Sequence, residues 1–436
     1  MNNISEKQFE DKTAIVFISA SAGEVDWVLP IIDFLRHKQC SIVYIFLSNR
    51  ALQSVESNQM IKDFIFNNDS KISTYFCGGF FYETIEKYAY LCYRFFLKFK
   101  LIKLPIFSNI FYIINFILRL IYIKNLPSTV PSSIKNNYWI FSEYPSLRRP
   151  RDSWIKQKFY QSTFFYFPHS PHVYSDQIDQ KYSEFDQNNN ITNNFLLLGH
   201  PADFSAIKQD IELQDGSLTK VFLGHPKYSS YWLKDLKKLA KNFQNSLPSR
   251  STINILILSR GEGSYLDLSS HQNLVETTIN TIRMLLPNHC ILIKKHPREI
   301  DSHWNNFENE DSIKIVNDHM LKIATQADFV ISFWGSGAMD CYCLDVPVIE
   351  YFDPNKHNKQ QVRDGGSFTT IYRKLGIVCP ANNEQELHAA IYQLINSDFK
   401  KLDYSPHPFF QDLIERSNQW QEILQDIFES CYLAEK

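Results

Sequence analysis

The apolar positions of this chain fall into a pattern that occurs twice. Residues 14–19 (AIVFIS) form a short β-branched run that ends in a turn, which reads as a buried strand. Small residues follow at Ala20, Ser21, Ala22 and Gly23. Residues 24–37 then carry helical spacing, with Val25, Val28, Leu29, Ile32 and Leu35 on one face. Residues 41–47 (SIVYIFL) are a second buried strand. Strand, tight turn, helix and strand make a βαβ opening of the usual right hand. The same grammar returns after residue 250. Strands are predicted at 253–258, 290–294, 329–332 and 346–351, and helices at 274–286 and 319–325. Strands that alternate with helices of ordinary length predict an α/β chain with parallel sheets covered on both faces. Residues 385–396 and 411–432 read as closing amphipathic helices, and 247–251 (LPSRS) as a linker. The expected division is a first domain over 1–248, a second over 249–400, and helices over 401–436 that pack back across both. Such sheets bind ligands at the carboxyl ends of their strands, so a cleft between two of them suits a ligand.

Composition narrows the classes. A chain of 436 residues holds two or three domains at about 150 to 200 residues each. Lys and Arg number 45 against 47 Asp and Glu, so no protein-wide basic field exists and nucleic acid is not an expected partner. The eight cysteines include no CxxC pair, which argues against a disulfide scaffold and for a reducing, cytoplasmic compartment. The first twelve residues are polar and hold no apolar signal region.

One stretch departs from this average. Residues 87–124 contain seven basic residues and no acidic one, and most of the others are Phe, Leu, Ile and Tyr. Its core, 104–123, is 20 residues long with only Arg119 charged, a length that could span a bilayer. Pro105, Ser108, Asn109 and Asn115 weaken a span. An interfacial helix on anionic lipid fits better, and a pair of buried helices is the alternative.

The polar clusters all follow predicted strands. Glu24 sits in the first helical turn after Ser19-Ala20-Ser21-Ala22-Gly23, where the helix dipole favours a carboxylate; facing the cleft, it would suit a general base. The loop Pro168-His169-Ser170-Pro171-His172 places His169 where it can move a proton or bind phosphate. Gly199-His200-Pro201 is echoed by Gly224-His225-Pro226; each is a cleft-lining turn or only a tight turn. Lys294, Lys295, His296 and Arg298 surround Pro297, and four donors around one proline suit an anion. The turn Ser332-Phe333-Trp334-Gly335-Ser336-Gly337 offers backbone N–H groups and Ser336 to a phosphate, and Asp340 can accept ribose hydroxyls. Together these point to a nucleotide-sugar site. No GxxxxGK[ST], early GxGxxG, HExxH or GxSxG occurs, which removes the simplest NTPase, dehydrogenase, protease and esterase readings. No DxD occurs either, which disfavours a metal-held sugar nucleotide, and no metal or cofactor is expected.

Residues 327–353 (ADFVISFWGSGAMDCYCLDVPVIEYFD) resemble the donor region of GT-B glycosyltransferases: a Gly-rich turn, an acid on the next helix, then Gly-x-Pro. Gly335, Ser336 and Gly337 match the turn, Asp340 stands where the acid is usually Glu, and Asp345 stands where Gly is usual, before Val346-Pro347. His296-Pro297 with the Ser332/Ser336 turn resembles enzymes that use cytidine-nucleotide donors, namely bacterial sialyl-, polysialyl- and Kdo transferases and CDP-glycerol glycerophosphotransferases. Ser21-Ala22-Gly23-Glu24 is similar to the Ser-x-Gly-Glu turn of lipid A Kdo transferase, and 167–173 is loosely similar to a His-Gly loop of the glycerophosphotransferases. Arg260-Gly261 is similar to a phosphate-facing turn that opens the second domain.

The resemblance implies a metal-independent GT-B glycosyltransferase with two Rossmann-like domains facing a central cleft. It implies Glu24 and His169 as catalytic residues, and a donor held by Arg260, Gly261, His296, Pro297, Ser332, Gly335, Ser336, Gly337 and Asp340. The implied donor is a CMP-linked keto sugar acid. The implied acceptor is a surface polysaccharide, such as capsule or lipopolysaccharide, or a lipid-linked glycan at the inner leaflet. A polyol-phosphate transferase, a UDP-sugar 2-epimerase and a non-catalytic glycan-binding protein are the alternatives on the same fold.

Overall fold

Each run read as a strand is a strand in the computed structural model, and each lies in a wholly parallel sheet. The structure describes 7–19, 21–67, 69–77, 138–144, 155–156, 158–168, 174–180, 193–207, 218–241, 252–261, 266–296, 299, 303–307, 310–357, 369–400 and 405–434, with isolated positions between 84 and 120. The chain forms two compact units, one of 1–172, 182–227 and 416–436 and one of 173–181 and 228–415. The linker expected at 247–251 lies outside the described residues. The break falls instead after Lys227, so residues 228–248 group with the second unit.

Among its described residues the first unit has seven strands: β1 (Thr13–Ile18), β2 (Ser41–Phe46), β3 (Ile72–Phe76), β4 (Tyr138–Glu143), β5 (Thr163–Phe167), β6 (Asn194–Leu198) and β7 (Thr219–Phe222), in the order β3-β2-β1-β4-β5-β6-β7. Helices α1 (Ala22–His37), α2 (Asn49–Glu56), α3 (Gln59–Ile65) and α4 (Pro201–Ile207) connect them. β4 and β5 are buried at every position, as strands covered on both faces must be. One face packs Ile15, Phe17, Ile45, Ile140, Phe164, Tyr166, Leu196 and Leu198 into a single core.

Among its described residues the second unit has six strands: β8 (Ile253–Leu258), β9 (His289–Lys294), β10 (Ile313–Ile315), β11 (Phe329–Ser332), β12 (Val348–Tyr351) and β13 (Cys379–Ala381), in the order β10-β9-β8-β11-β12-β13. Its helices include α5 (Ser230–Lys241), α6 (Leu268–Leu285), α7 (Met320–Ala324), α8 (Gly337–Cys343) and α9 (Glu384–Asn396). α6 begins six residues before the predicted start at 274 because Asp267 caps it, accepting the Ser270 N–H at 2.7 Å. Ile255, Ile257, Ile291, Ile293, Phe329, Ile331 and Ile349 pack against Val275, Ile279 and Ile282 of α6 and Leu387 and Ile391 of α9.

The last helix, α10 (Pro408–Ala434), contributes to both units, which divide it after Glu415. In the first unit its Phe428 stacks on Trp139 of β4 at 4.4 Å between ring centres.

Most of the basic apolar stretch lies outside the described residues. Its described apolar positions (Tyr88, Leu91, Phe95, Ile113, Phe116, Ile117 and Leu120) are helical and 48 to 59% exposed. The alternative of buried helices does not hold for these side chains. Among the described residues no helix is long and apolar enough to cross a membrane.

Candidate functional site

The second sheet reverses its winding between β8 and β11. From β8 the chain proceeds outward through β9 to β10, and from β11 it proceeds the other way to β12 and β13. Loops leaving adjacent strands at such a point diverge and open a crevice. Lys294, Leu258, Ser332 and Glu350 form one row across the end of the sheet, paired in register. Arg260 follows β8, His296 follows β9, and the 332–337 turn follows β11. The topology therefore gathers three of the predicted clusters at one edge.

Arg260 is tied to the β11 turn. Its Nη1 donates to the Trp334 carbonyl at 3.0 Å, and its guanidinium carbon lies 4.9 Å from the Trp334 ring centre. Hydrogen bond and cation–π contact together hold a normally mobile side chain in one place. Trp334 has a φ of +62°, a conformation that bulky residues avoid. It is held there by burial and by packing on Phe352 at 5.1 Å. Inside the turn, the fully buried Ser332 accepts the Gly335 N–H at 3.2 Å, while Ser336 is exposed at the tip. A Cβ at Gly337 would stand 3.0 Å from Leu258 Cδ1, so the turn sits tightly on the end of β8. Asp340, in α8, is buried.

The cluster at 294–298 is less uniform than its four donors suggest. Lys294 Nζ donates to the Asp318 carbonyl at 2.7 Å, and burial pushes its ammonium pKa down. Lys295 Nζ donates to Asn305 Oδ1 at 2.6 Å. Both lysines have protein partners, and His296 is half-buried on the loop after β9, the strand beside β8. Pro297 and Arg298 lie outside the described residues.

Beneath these loops is a buried polar group that sequence reading missed. The Glu299 side chain, 1% exposed, accepts the Ser259 hydroxyl at 3.0 Å and the His296 N–H at 3.4 Å. Trp304 Nε1 donates to Ser259 Oγ at 2.7 Å, and His271 Nε2 lies 3.4 Å from that oxygen. Gly261 packs on the same carboxylate stem, where a Cβ would stand 2.4 Å from Glu299 Cγ. The one local signal was the turn itself, in which the Glu299 N–H donates to the His296 carbonyl at 2.8 Å.

In the first unit, Glu24 does not present an open carboxylate. Its side chain folds back on the end of β1, accepting the Ser19 N–H at 2.7 Å and the Ser19 hydroxyl at 2.9 Å, and the residue is 1% exposed. The end of a strand leaves an N–H to satisfy, and a carboxylate in the first turn of the next helix is well placed to do so. His169 lies outside the described residues. The two Gly-His-Pro turns lie side by side at the ends of β6 and β7, where the Gly224 N–H donates to the Gly199 carbonyl at 3.2 Å. Asp203 accepts the N–H groups of Gly199 and His200 at 2.9 and 3.0 Å, and the fully buried His225 accepts from Trp27 Nε1 at 2.9 Å. Both histidines are buried.

No family model matches this chain, and no curated protein matches its sequence. Solved structures do. It is similar to a UDP-N-acetylglucosamine 2-epimerase structure at TM-score 0.52 and 10% identity, covering 96% of this chain and 97% of that one. It is also similar to UDP-GlcNAc 2-epimerase from Methanocaldococcus jannaschii at 0.51 and 13%, covering 95% and 99%. The enzyme from Neisseria meningitidis, solved bound to UDP-GlcNAc, gives 0.51 and 9% over 96% and 100%. The fold is GT-B. Two Rossmann-like parallel-sheet units of seven and six strands carry it. At such identities the likeness speaks for the fold alone. The GT-B frame also gives Asp345 a physical meaning: it has a φ of +63°, the left-handed position where Gly is usual and where Asp is among the better-tolerated substitutes.

Proposed function

We propose that this protein is a glycosyltransferase that moves a sugar from a nucleotide-activated donor to a surface-polysaccharide or lipid-linked acceptor. The observation that carries this reading is Arg260 fixed over a strained turn at the switch point of the second sheet. Arg260, His296 and the N–H groups of 336 and 337 would hold the leaving phosphate. Asp340 would receive the ribose. The resemblance of His296-Pro297 and the Ser332/Ser336 turn to cytidine-nucleotide enzymes favours a CMP-linked keto sugar acid as donor. In the transfer the bond from the anomeric carbon to the phosphate oxygen breaks and the acceptor oxygen bonds to that carbon. The acceptor proton would pass to Glu24, whose carboxylate must first leave its bonds to Ser19, and the nucleotide leaves with its phosphate. Stabilising the departing charge would supply most of the barrier reduction. The exposed apolar side chains between Tyr88 and Leu120, in a stretch rich in Lys and Arg, support contact with an anionic inner-leaflet surface.

The test is thermal stabilisation by CMP, CDP, UMP, UDP and GDP side by side. A ligand at about 100 times its Kd adds roughly 2.7 kcal/mol of stability. Cytidine nucleotides standing out supports the reading, and no shift with any nucleotide removes it. The fold likeness favours one rival, a UDP-sugar 2-epimerase. A shift with UDP alone, together with conversion of UDP-GlcNAc in the absence of acceptor, would establish the rival.

A further inference from the structure

The buried group beneath the site raises a question of sign. A carboxylate close to an anion-binding loop should repel the anion, yet Glu299 lies directly under the loop that bears His296. Its geometry resolves the conflict. One oxygen accepts the Ser259 hydroxyl at 3.0 Å and lies 3.5 Å from His271 Nε2, and the other accepts the His296 N–H at 3.4 Å. The carboxylate is thus turned into the protein, and its bonds tie the end of β8, helix α6 and the loop after β9 to one another. Ser259 and His296 are the residues it grips; Arg260 is next to the first, and His296 is itself one of the proposed phosphate ligands.

His271 fits the same arrangement. Burial holds its imidazole below the ordinary value, against the opposing pull of Glu299 and with a further push from the nearby His303, which itself pairs with Glu276 at 3.0 Å. Its Nδ1 has no hydrogen-bond partner among the described residues. A neutral ring with its proton on Nε2 donates toward Ser259 and Glu299 and leaves no N–H unsatisfied; a charged ring would bury one.

We propose that Glu299 is the positioning residue of the phosphate site: it fixes the spacing of Arg260 and His296 for an anion while its own charge is spent on internal donors. This rests on the reading of Arg260 and His296 as phosphate ligands. The test uses Glu299→Gln in the full chain, with CMP, CDP and UDP each titrated beside the matching nucleoside. Gln keeps the size, removes the negative charge and offers an NH2 where the His296 N–H needs an acceptor. If Glu299 acted only through its charge, the variant would bind nucleotides more tightly. If it positions the ligands, nucleotide affinity falls at least tenfold while nucleoside affinity stays the same. Nucleotide affinity that is unchanged or improved overturns the proposal. Wild-type protein that binds nucleotide no better than nucleoside overturns instead the phosphate-site reading, and this proposal falls with it. Ser259→Ala, which removes one of the bonds and keeps the charge, is the companion should Glu299→Gln fail to fold. It should lower nucleotide affinity in the same selective way, and an unchanged affinity would again overturn the proposal.

Discussion

The two sheets follow the same winding rule and end differently. In the first, the residue after the small-residue turn is an acid, and it folds back: Glu24 satisfies the end of β1 and is 1% exposed. In the second, the second residue after β8 is a base, and it reaches across to the neighbouring strand's turn, where it meets a neutral carbonyl and an aromatic face. One switch point has turned its charge inward, while the other has mounted its charge on a strained, partly exposed loop. Topology supplies the crevice in both cases, and the sign and partners of the first side chain decide which of them suits an anion.

Glu24 offers the largest test of this contrast. If it is the base as well as the seal of β1, Glu24→Gln lowers turnover by roughly 10²- to 10⁴-fold and leaves nucleotide affinity unchanged. If it is only the seal, the variant loses about 1–3 kcal/mol of stability and keeps its turnover, as denaturant titration and initial rates would show together.

Arg260→Ala comes next. Removing a charge-assisted donor worth about 1.5–3 kcal/mol weakens nucleotide binding by roughly 10- to 100-fold. Arg260→Lys should recover little of this, because the ammonium cannot both bond the Trp334 carbonyl and lie flat on its ring. His296→Ala should cost less, roughly tenfold, by calorimetric titration. Equal affinity in all three variants would break the contrast between the sheets.

The smallest effect concerns pH. His271 has its folded pKa depressed by burial, so the stability it supports is present above the ordinary imidazole value near 6.5 and is lost as pH falls below it. Unfolding free energy measured from pH 7.5 to 5.5 should fall more steeply in the wild type than in His271→Gln. Parallel curves would mean that His271 takes up its proton equally in the folded and unfolded states, so that burial does not lower its pKa.

The parts of this molecule that repeat along the chain were the legible ones. The strands, their alternation with helices and the turn at 335–337 could be read because each is set by residues a few positions apart. Asp345 was legible as a position, and the structure adds its left-handed backbone as the reason. The unreadable parts are bonds between distant residues. Nothing in the sequence ties Trp304 to Ser259, 45 residues earlier, or Arg260 to a carbonyl 74 residues later. The orientation of Glu24 was also hidden, since an acid in the first turn of a helix can face outward or bond back to the strand, and its spacing is the same in both. The lysines at 294 and 295 misled for the opposite reason: a run of donors announces charge, and their partners Asp318 and Asn305 are visible only in the fold.

The central claim is that the anion belongs to the second switch point. A crystal structure of the full chain with a bound nucleotide tests it most directly. The account predicts phosphate oxygens within hydrogen-bond reach of Arg260 and of the backbone N–H groups of 336 and 337, with Glu24 still closed on Ser19 until an acceptor binds. A nucleotide seated at the turn after β1, with Arg260 contacting only Trp334, would contradict it.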